Sequence, residues 1–170
     1  AILEEGRRGP SHAERALPMA AHSVALDPAR SELWSNFAVL LDSLGRPDDS
    51  RRALRFALDA EPDHIPSLIA LAKKELAAGK AEGALAVLRG VLMRAPDSAP
   101  AHSAMAAALT DLKRHREAEE AVRKALGIEP KNARLWVQLG AIQSDAGRPR
   151  NAADSWERAL AADPGNADAF

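Results

Sequence analysis

The 170-residue sequence predicts an all-α solenoid of stacked helix–turn–helix units. Three observations predict it. Prolines recur at Pro28, Pro62, Pro96, Pro130 and Pro164, a stride of 34 residues, each just after an apolar run. The same stride joins Trp34, Leu68, His102, Trp136 and Phe170, then Phe37, Leu71, Met105 and Leu139, then Ala38, Ala72, Ala106 and Gly140. Within each period the apolar residues fall three and four apart on both sides of a central break, the spacing of one helix face. Two such helices cannot bury their apolar faces alone, so each unit requires neighbours.

Residues 133–166 carry the pattern most fully. Trp136, Leu139 and Gly140 share a face of the first helix. Gly147 suits a C-terminal cap and Pro149 the start of a second helix. Ala152, Trp156, Ala159 and Leu160 continue the rhythm, and Asp163-Pro164-Gly165-Asn166 ends it.

The remaining elements follow in order. Residues 1–30 read as a partial repeat with Gly6 at its turn. A second helix over roughly 12–26 is opened by the capping box Ser11-x-x-Glu14, and Pro18 is tolerable in its first turns. Residues 31–64 have Ser31 as N-cap, Trp34, Phe37, Ala38 and Leu41 inward, a Gly45-Arg46-Pro47 turn, and Leu54, Ala57 and Leu58 facing back. Residues 65–98 place Pro66 in the first turn, Gly79 at the break, and Leu85, Leu88, Val91 and Leu92 inward. Residues 99–132 repeat this with Pro100, but Lys113 stands where glycine is expected, which predicts strain or a shifted cap. Residues 167–170 begin a further helix. Trp34, Phe37, Leu71, Met105, Leu109, Trp136, Leu139 and Trp156 are the expected buried anchors.

The pattern resembles the tetratricopeptide repeat (TPR) family, whose signature is W-x2-L-G-x2-Y, A-x3-F and P at a period of 34. It appears here as Trp136-x2-Leu139-Gly140-x2-Gln143, Ala152-x3-Trp156 and Pro164. The resemblance, to a bacterial-type array, covers essentially the whole chain. It implies a right-handed superhelical arc, first helices lining the concave side, and a non-enzymatic scaffold for a protein or peptide partner. The alternatives are the substrate-recruiting arm of a larger enzyme, such as a bacterial glycosyltransferase or hydroxylase, and a self-assembling scaffold.

Composition narrows the classes. Hydrophobic residues make up 46% but aromatics only 4%, which favours close helix packing on alanine over a bulky core. A formal charge of −1 offers no overall basic footprint for nucleic acid. There is no cysteine for disulfides or thiolate metal sites. No apolar run approaches the ~18 residues of a membrane span, so no membrane insertion is expected. The chain starts without Met and reads as an excised fragment. The compartment stays open, with a cytoplasmic location favoured and any targeting signals placed outside the fragment. Its uncapped ends, with Trp156, Leu160 and Phe170 near an apolar surface, predict end-to-end self-association.

Catalytic signatures are not found: no P-loop, GxGxxG, HExxH or G-x-S-x-G. No cofactor or metal is expected, since His12, His22, His64, His102 and His115 do not pair at ligand spacing. His102 occupies the tryptophan slot, and a hydrogen-bonded packing role is the favoured reading. Glu75 takes an inward position, so its stem should lie on the packed face with its head toward solvent or a lysine such as Lys113. The basic runs Arg51-Arg52 and 113–116 read as solvated faces, without interleaved aromatics for base stacking.

The candidate binding groove follows from register. First-helix residues opposite the packed face are Ser35, Val39, Asp42 and Ser43, then Ile69, Lys73 and Leu76. The series continues with Ser103, Ala107, Thr110 and Asp111, then Val137, Ala141, Ser144 and Asp145. In TPR arms of O-linked N-acetylglucosamine transferases an asparagine ladder grips the peptide backbone. The matching positions here are Asn36, Ala70, Ala104 and Gln138, which do not make a ladder. Chaperone-binding TPR domains clamp a carboxylate with lysine and asparagine, whereas Lys73 stands alone here. The lining is small and mildly apolar, with Asp42, Asp111 and Asp145 at one edge. It suits a segment apolar on one side and basic on the other.

Overall fold

The computed structural model describes residues 12–163, which form nine helices and no strand. They are α1 (His12–Leu26), α2 (Ser31–Ser43), α3 (Pro47–Ala60), α4 (Ile65–Ala77), α5 (Ala81–Arg94), α6 (Ala99–Asp111), α7 (His115–Ile128), α8 (Ala133–Asp145) and α9 (Pro149–Ala162). The expectations for Gly6, Ser11, Pro164–Asn166 and Phe170 lie outside the described residues.

The chain divides into two compact units, Ala1–Leu71 and Ala72–Phe170, with the division inside α4. In the first, α1 packs on α2 and α2 on α3. Ala38, Leu41, Ala53 and Leu54 form the core there, with Leu17, Trp34 and Phe37 packed at its edge. In the second, α5 to α9 each pack on the next. Leu85, Leu109, Val122, Leu126, Leu135, Leu139 and Ile142 are among its buried core.

The breaks between paired helices share one geometry. Gly45, Gly79 and Gly147 have φ of 68°, 74° and 72°, the left-handed region where glycine has no Cβ penalty. Each donates its N–H to the carbonyl three residues back, and the next residue reaches the carbonyl five back, as in Arg46 to Leu41 at 2.9 Å and Arg148 to Gln143 at 2.9 Å. This is the Schellman closure. Lys113 does not shift the cap. It adopts φ 59° and makes the same pair of bonds, Lys113 to Thr110 at 2.9 Å and Arg114 to Leu109 at 2.8 Å. The expected strain is confined to one non-glycine residue in a left-handed conformation.

Two expectations are corrected. Ser31 is the first helical residue rather than the cap. Arg30 holds the N-cap position without a side-chain bond, and the Ser31 hydroxyl donates to Glu61 Oε2 at 2.6 Å. The side-chain caps stand at Ser98, which accepts from the Ala101 N–H, and at Asn132, which accepts from the Arg134 N–H. Of the expected anchors, Leu109 and Leu139 are buried, whereas Trp34, Phe37, Leu71, Met105, Trp136 and Trp156 are half-buried. The deepest positions belong to small residues: Ala57, Ala72, Ala84, Ala106, Ala118 and Ala152 are sealed from solvent.

Gly140 takes this to its limit. A Cβ built there would overlap the indole of Trp156, with Nε1, Cδ1 and Cε2 all inside 3.0 Å. The equivalent Ala38 and Ala106 share their core clusters with the smaller Leu54 and Val122, which stand at the position of Trp156.

Candidate functional site

The second unit carries the candidate face on its first helices. Near the end of α4, Lys73 is exposed and Leu76 is half-buried against the core. On α6, Ser103, Ala107 and Thr110 are half-buried and Asp111 is exposed. On α8, Val137 and Gln138 are half-buried and Ala141, Ser144 and Asp145 are exposed. The Thr110 hydroxyl turns back to the Ala106 carbonyl at 2.8 Å, leaving its methyl as the outer contact.

Ser103 and Gln138 are joined across α6 and α8. The Ser103 hydroxyl donates to Gln138 Oε1 at 2.7 Å, and Gln138 Nε2 donates to the Ser103 carbonyl at 2.9 Å. This reciprocal pair holds two first helices in register. It also occupies the polar atoms that the position of the asparagine ladder would offer a ligand. Ala104, at the same ladder position, is buried.

In the first unit the α2 face presents Asn36, Asp42 and Ser43 as exposed residues, with Val39 65% exposed. Ser35 and Ile69 are buried and offer no outer surface.

Other singled-out residues have structural partners. Glu75 reaches Lys80 at 3.4 Å, across its own helix end rather than toward Lys113. His102 is buried, with Nε2 2.7 Å from the Pro96 carbonyl. That is the bond Trp34 and Trp136 make from Nε1 to Pro28 and Pro130, both at 2.9 Å. His64 Nδ1 lies 2.8 Å from the Ser67 hydroxyl. Of the basic runs, Arg52 lies 3.5 Å from Asp49. Arg114 holds Glu117 through two hydrogen bonds of 2.7 Å. These bonds lower the Glu117 carboxyl below the usual carboxylate range and raise Arg114.

One residue escaped sequence reasoning. Glu119 is buried in α7 yet ionically paired, with Arg123 at 2.9 Å and Arg148 at 2.6 Å. It ties α7 to the α8–α9 turn. The available clue was register, because stepping back one period from Glu119 lands on Leu85, an inward residue. Among the described residues no group of three His, Cys, Asp or Glu is placed to hold a metal. No described helix is long and apolar enough to cross a membrane.

Helix pairs repeated at one period, each closed by the same left-handed turn, define an α-helical repeat protein. A profile of the tetratricopeptide repeat matches residues 44–109 and again 75–139, more than half of the chain, and the chain belongs to that family. No curated protein sequence matches it. Among solved structures it is similar to TTC0263, a thermophilic TPR protein of Thermus thermophilus. The TM-score is 0.78 at 21% identity, covering 92% of this chain and 86% of that one. It is also similar to MamA residues 41-end from Desulfovibrio magneticus RS-1, with TM-score 0.72, 19% identity, and 91% and 88% of the two chains covered. A human IFIT1 dimer with PPP-AAAA matches at TM-score 0.75 and 19% identity, over 86% of this chain and 36% of that one. These likenesses bear on the fold, the α-solenoid of TPR repeats.

Proposed function

We propose that the chain is a non-enzymatic protein-interaction scaffold. Its second unit binds a partner segment across the first helices α4, α6 and α8. The observation that carries this reading is the composition of the accessible face. Ala107, Val137 and Ala141 give a small, mildly apolar middle, with Asp111 and Asp145 exposed at the turn side. Small side chains let a partner backbone approach closely, and the carboxylates favour a partner with lysine or arginine on one flank. Ser103 and Gln138 act in this reading as a brace that keeps the face flat, rather than as ligand contacts. The α2 face, with Val39 and Asp42, is a second patch of similar chemistry in the first unit.

The test is selection from a displayed peptide library, followed by binding of the winning peptide to variants. Enrichment of peptides with apolar and basic positions supports the reading. Ala141→Glu, at an exposed position, should abolish binding while leaving the helical spectrum unchanged. Reversing Asp111 and Asp145 to lysine should slow association and weaken its salt dependence. If both variants bind as wild type does, the surface in use is a different one.

A further inference from the structure

Position 102 departs from its repeat beside an open cavity. In two other repeats the slot holds Trp34 and Trp136, and each ring is covered by a residue of the second helix. Phe56 lies over Trp34 with centroids 4.8 Å apart, and the Arg158 guanidinium lies 5.0 Å from the Trp136 centroid. The covering residue stands at the same separation both times, 34 to 56 and 136 to 158. For His102 that separation gives Lys124. His102 keeps the bond to its proline carbonyl but supplies a single five-membered ring. Around it a cavity of about 850 Å³ opens between α5, α6 and α7. Leu92, Met93, Met105, Leu109 and Ile128 supply its apolar lining, and Lys124 borders it.

The mouth of the cavity has the anatomy of an interface. Met93 is 86% exposed and Ile128 39% exposed. Charged Arg89, Asp97, Glu120 and Lys124 surround an apolar centre, as a polar rim surrounds the core of a protein contact. Methionine at such a mouth adapts to an inserted ring.

We propose that this cavity is a second binding site, which takes an aromatic side chain of a partner protein, tryptophan above all. The partner's ring supplies what Trp34 and Trp136 supply internally. Its face lies under the Lys124 ammonium, as Trp136 lies under Arg158. Tryptophan is among the residues enriched at interface hot spots, which sit in desolvated pockets ringed by weaker contacts. On α6, His102, Met105 and Leu109 lie on the side away from Ser103, Ala107 and Thr110, so both surfaces can be engaged together.

The test is an NMR titration of the isotopically labelled chain with N-acetyl-tryptophanamide. N-acetyl-leucinamide serves as apolar control and free indole as a second arm. The expected result is saturable shifts centred on Leu92, Met105, Lys124 and Ile128, with leucinamide binding at least ~10-fold more weakly. Lys124→Ala should weaken binding by about 2- to 5-fold, the scale of an exposed cation–π contact. His102→Trp places the protein's own ring in the cavity and should weaken binding at least ~10-fold. Four results overturn the proposal: no saturation by about 10 mM, shifts centred elsewhere, equal binding of leucinamide, or unchanged binding by His102→Trp. Binding of indole but not of the amide also overturns it, because the cavity would then take free small aromatics only. Should His102→Trp fail to fold, the wild-type shift map and the exposed Lys124→Ala variant still decide.

Discussion

Gly140→Ala sets two well-characterised effects against each other. In a helix interior, replacing glycine by alanine is worth about 1 kcal/mol in favour of the helix. Here the new Cβ would overlap three atoms of the Trp156 indole inside 3.0 Å. Relief requires the ring or the α8–α9 spacing to move, and overpacking of this kind costs about 1–3 kcal/mol. The rigid ring and the close approach of α8 to α9 place the cost toward the upper end. The net is then a loss of roughly 1–2 kcal/mol, or a fall of about 2–8 °C in the unfolding midpoint for a chain of this size. Gly140→Ala combined with the partner variant Trp156→Leu gives the residue types that stand at the same positions in the first unit's core, Ala38 and Leu54. In that background Gly140→Ala should become stabilising by about 1 kcal/mol, since only the propensity term remains. Urea unfolding followed by circular dichroism, across all four members of the cycle, gives a coupling energy expected near 2–3 kcal/mol. A stabilising Gly140→Ala in the wild-type background, or a coupling near zero, would refute the steric argument.

Three other outcomes follow from the geometry. Lys113→Gly removes a left-handed L-residue that costs about 1–2 kcal/mol and adds a backbone entropy cost of about 0.4–1 kcal/mol. The thermal midpoint should therefore rise by about 1–3 °C. Gln138→Ala removes both bonds to Ser103 and should cost about 1–3 kcal/mol. Hydrogen exchange should quicken first in α8, where the brace is lost. Glu117 has a folded pKa below its unfolded value because Arg114 is hydrogen-bonded to it. Its contribution is therefore present above the unfolded carboxylate pKa and lost as pH falls through the folded one. Glu117→Gln should flatten that part of the acid limb in pH-dependent unfolding, and an unchanged limb would count against the pair.

Sequence alone determined the repeat and its turns, because each rests on local chemistry recurring at one stride. Glycine at a left-handed turn, proline at a helix start and apolar residues three and four apart act within a few neighbours. Helices α2, α4, α6 and α8 begin at Ser31, Ile65, Ala99 and Ala133, one 34-residue stride apart. Lys113 shows how firm the frame is, since the turn holds its geometry without the glycine that favours it.

Only the tertiary structure decided how deep each side chain lies and which polar atoms are already engaged. Register puts Ser35, Ile69 and Val39 on one nominal face, yet the first two are buried and the third is 65% exposed. Period arithmetic assigns a direction around the helix axis, whereas burial depends on how closely the next helix approaches. That distance is set by residues far away in sequence, as Trp156 and Gly140 show. Ser103 and Gln138 look like ligand contacts until their separation of 35 residues is closed by two hydrogen bonds. Glu119 looks misplaced until Arg148 is brought to it. The space beside His102 is likewise invisible in sequence, because a cavity is defined by the atoms around it.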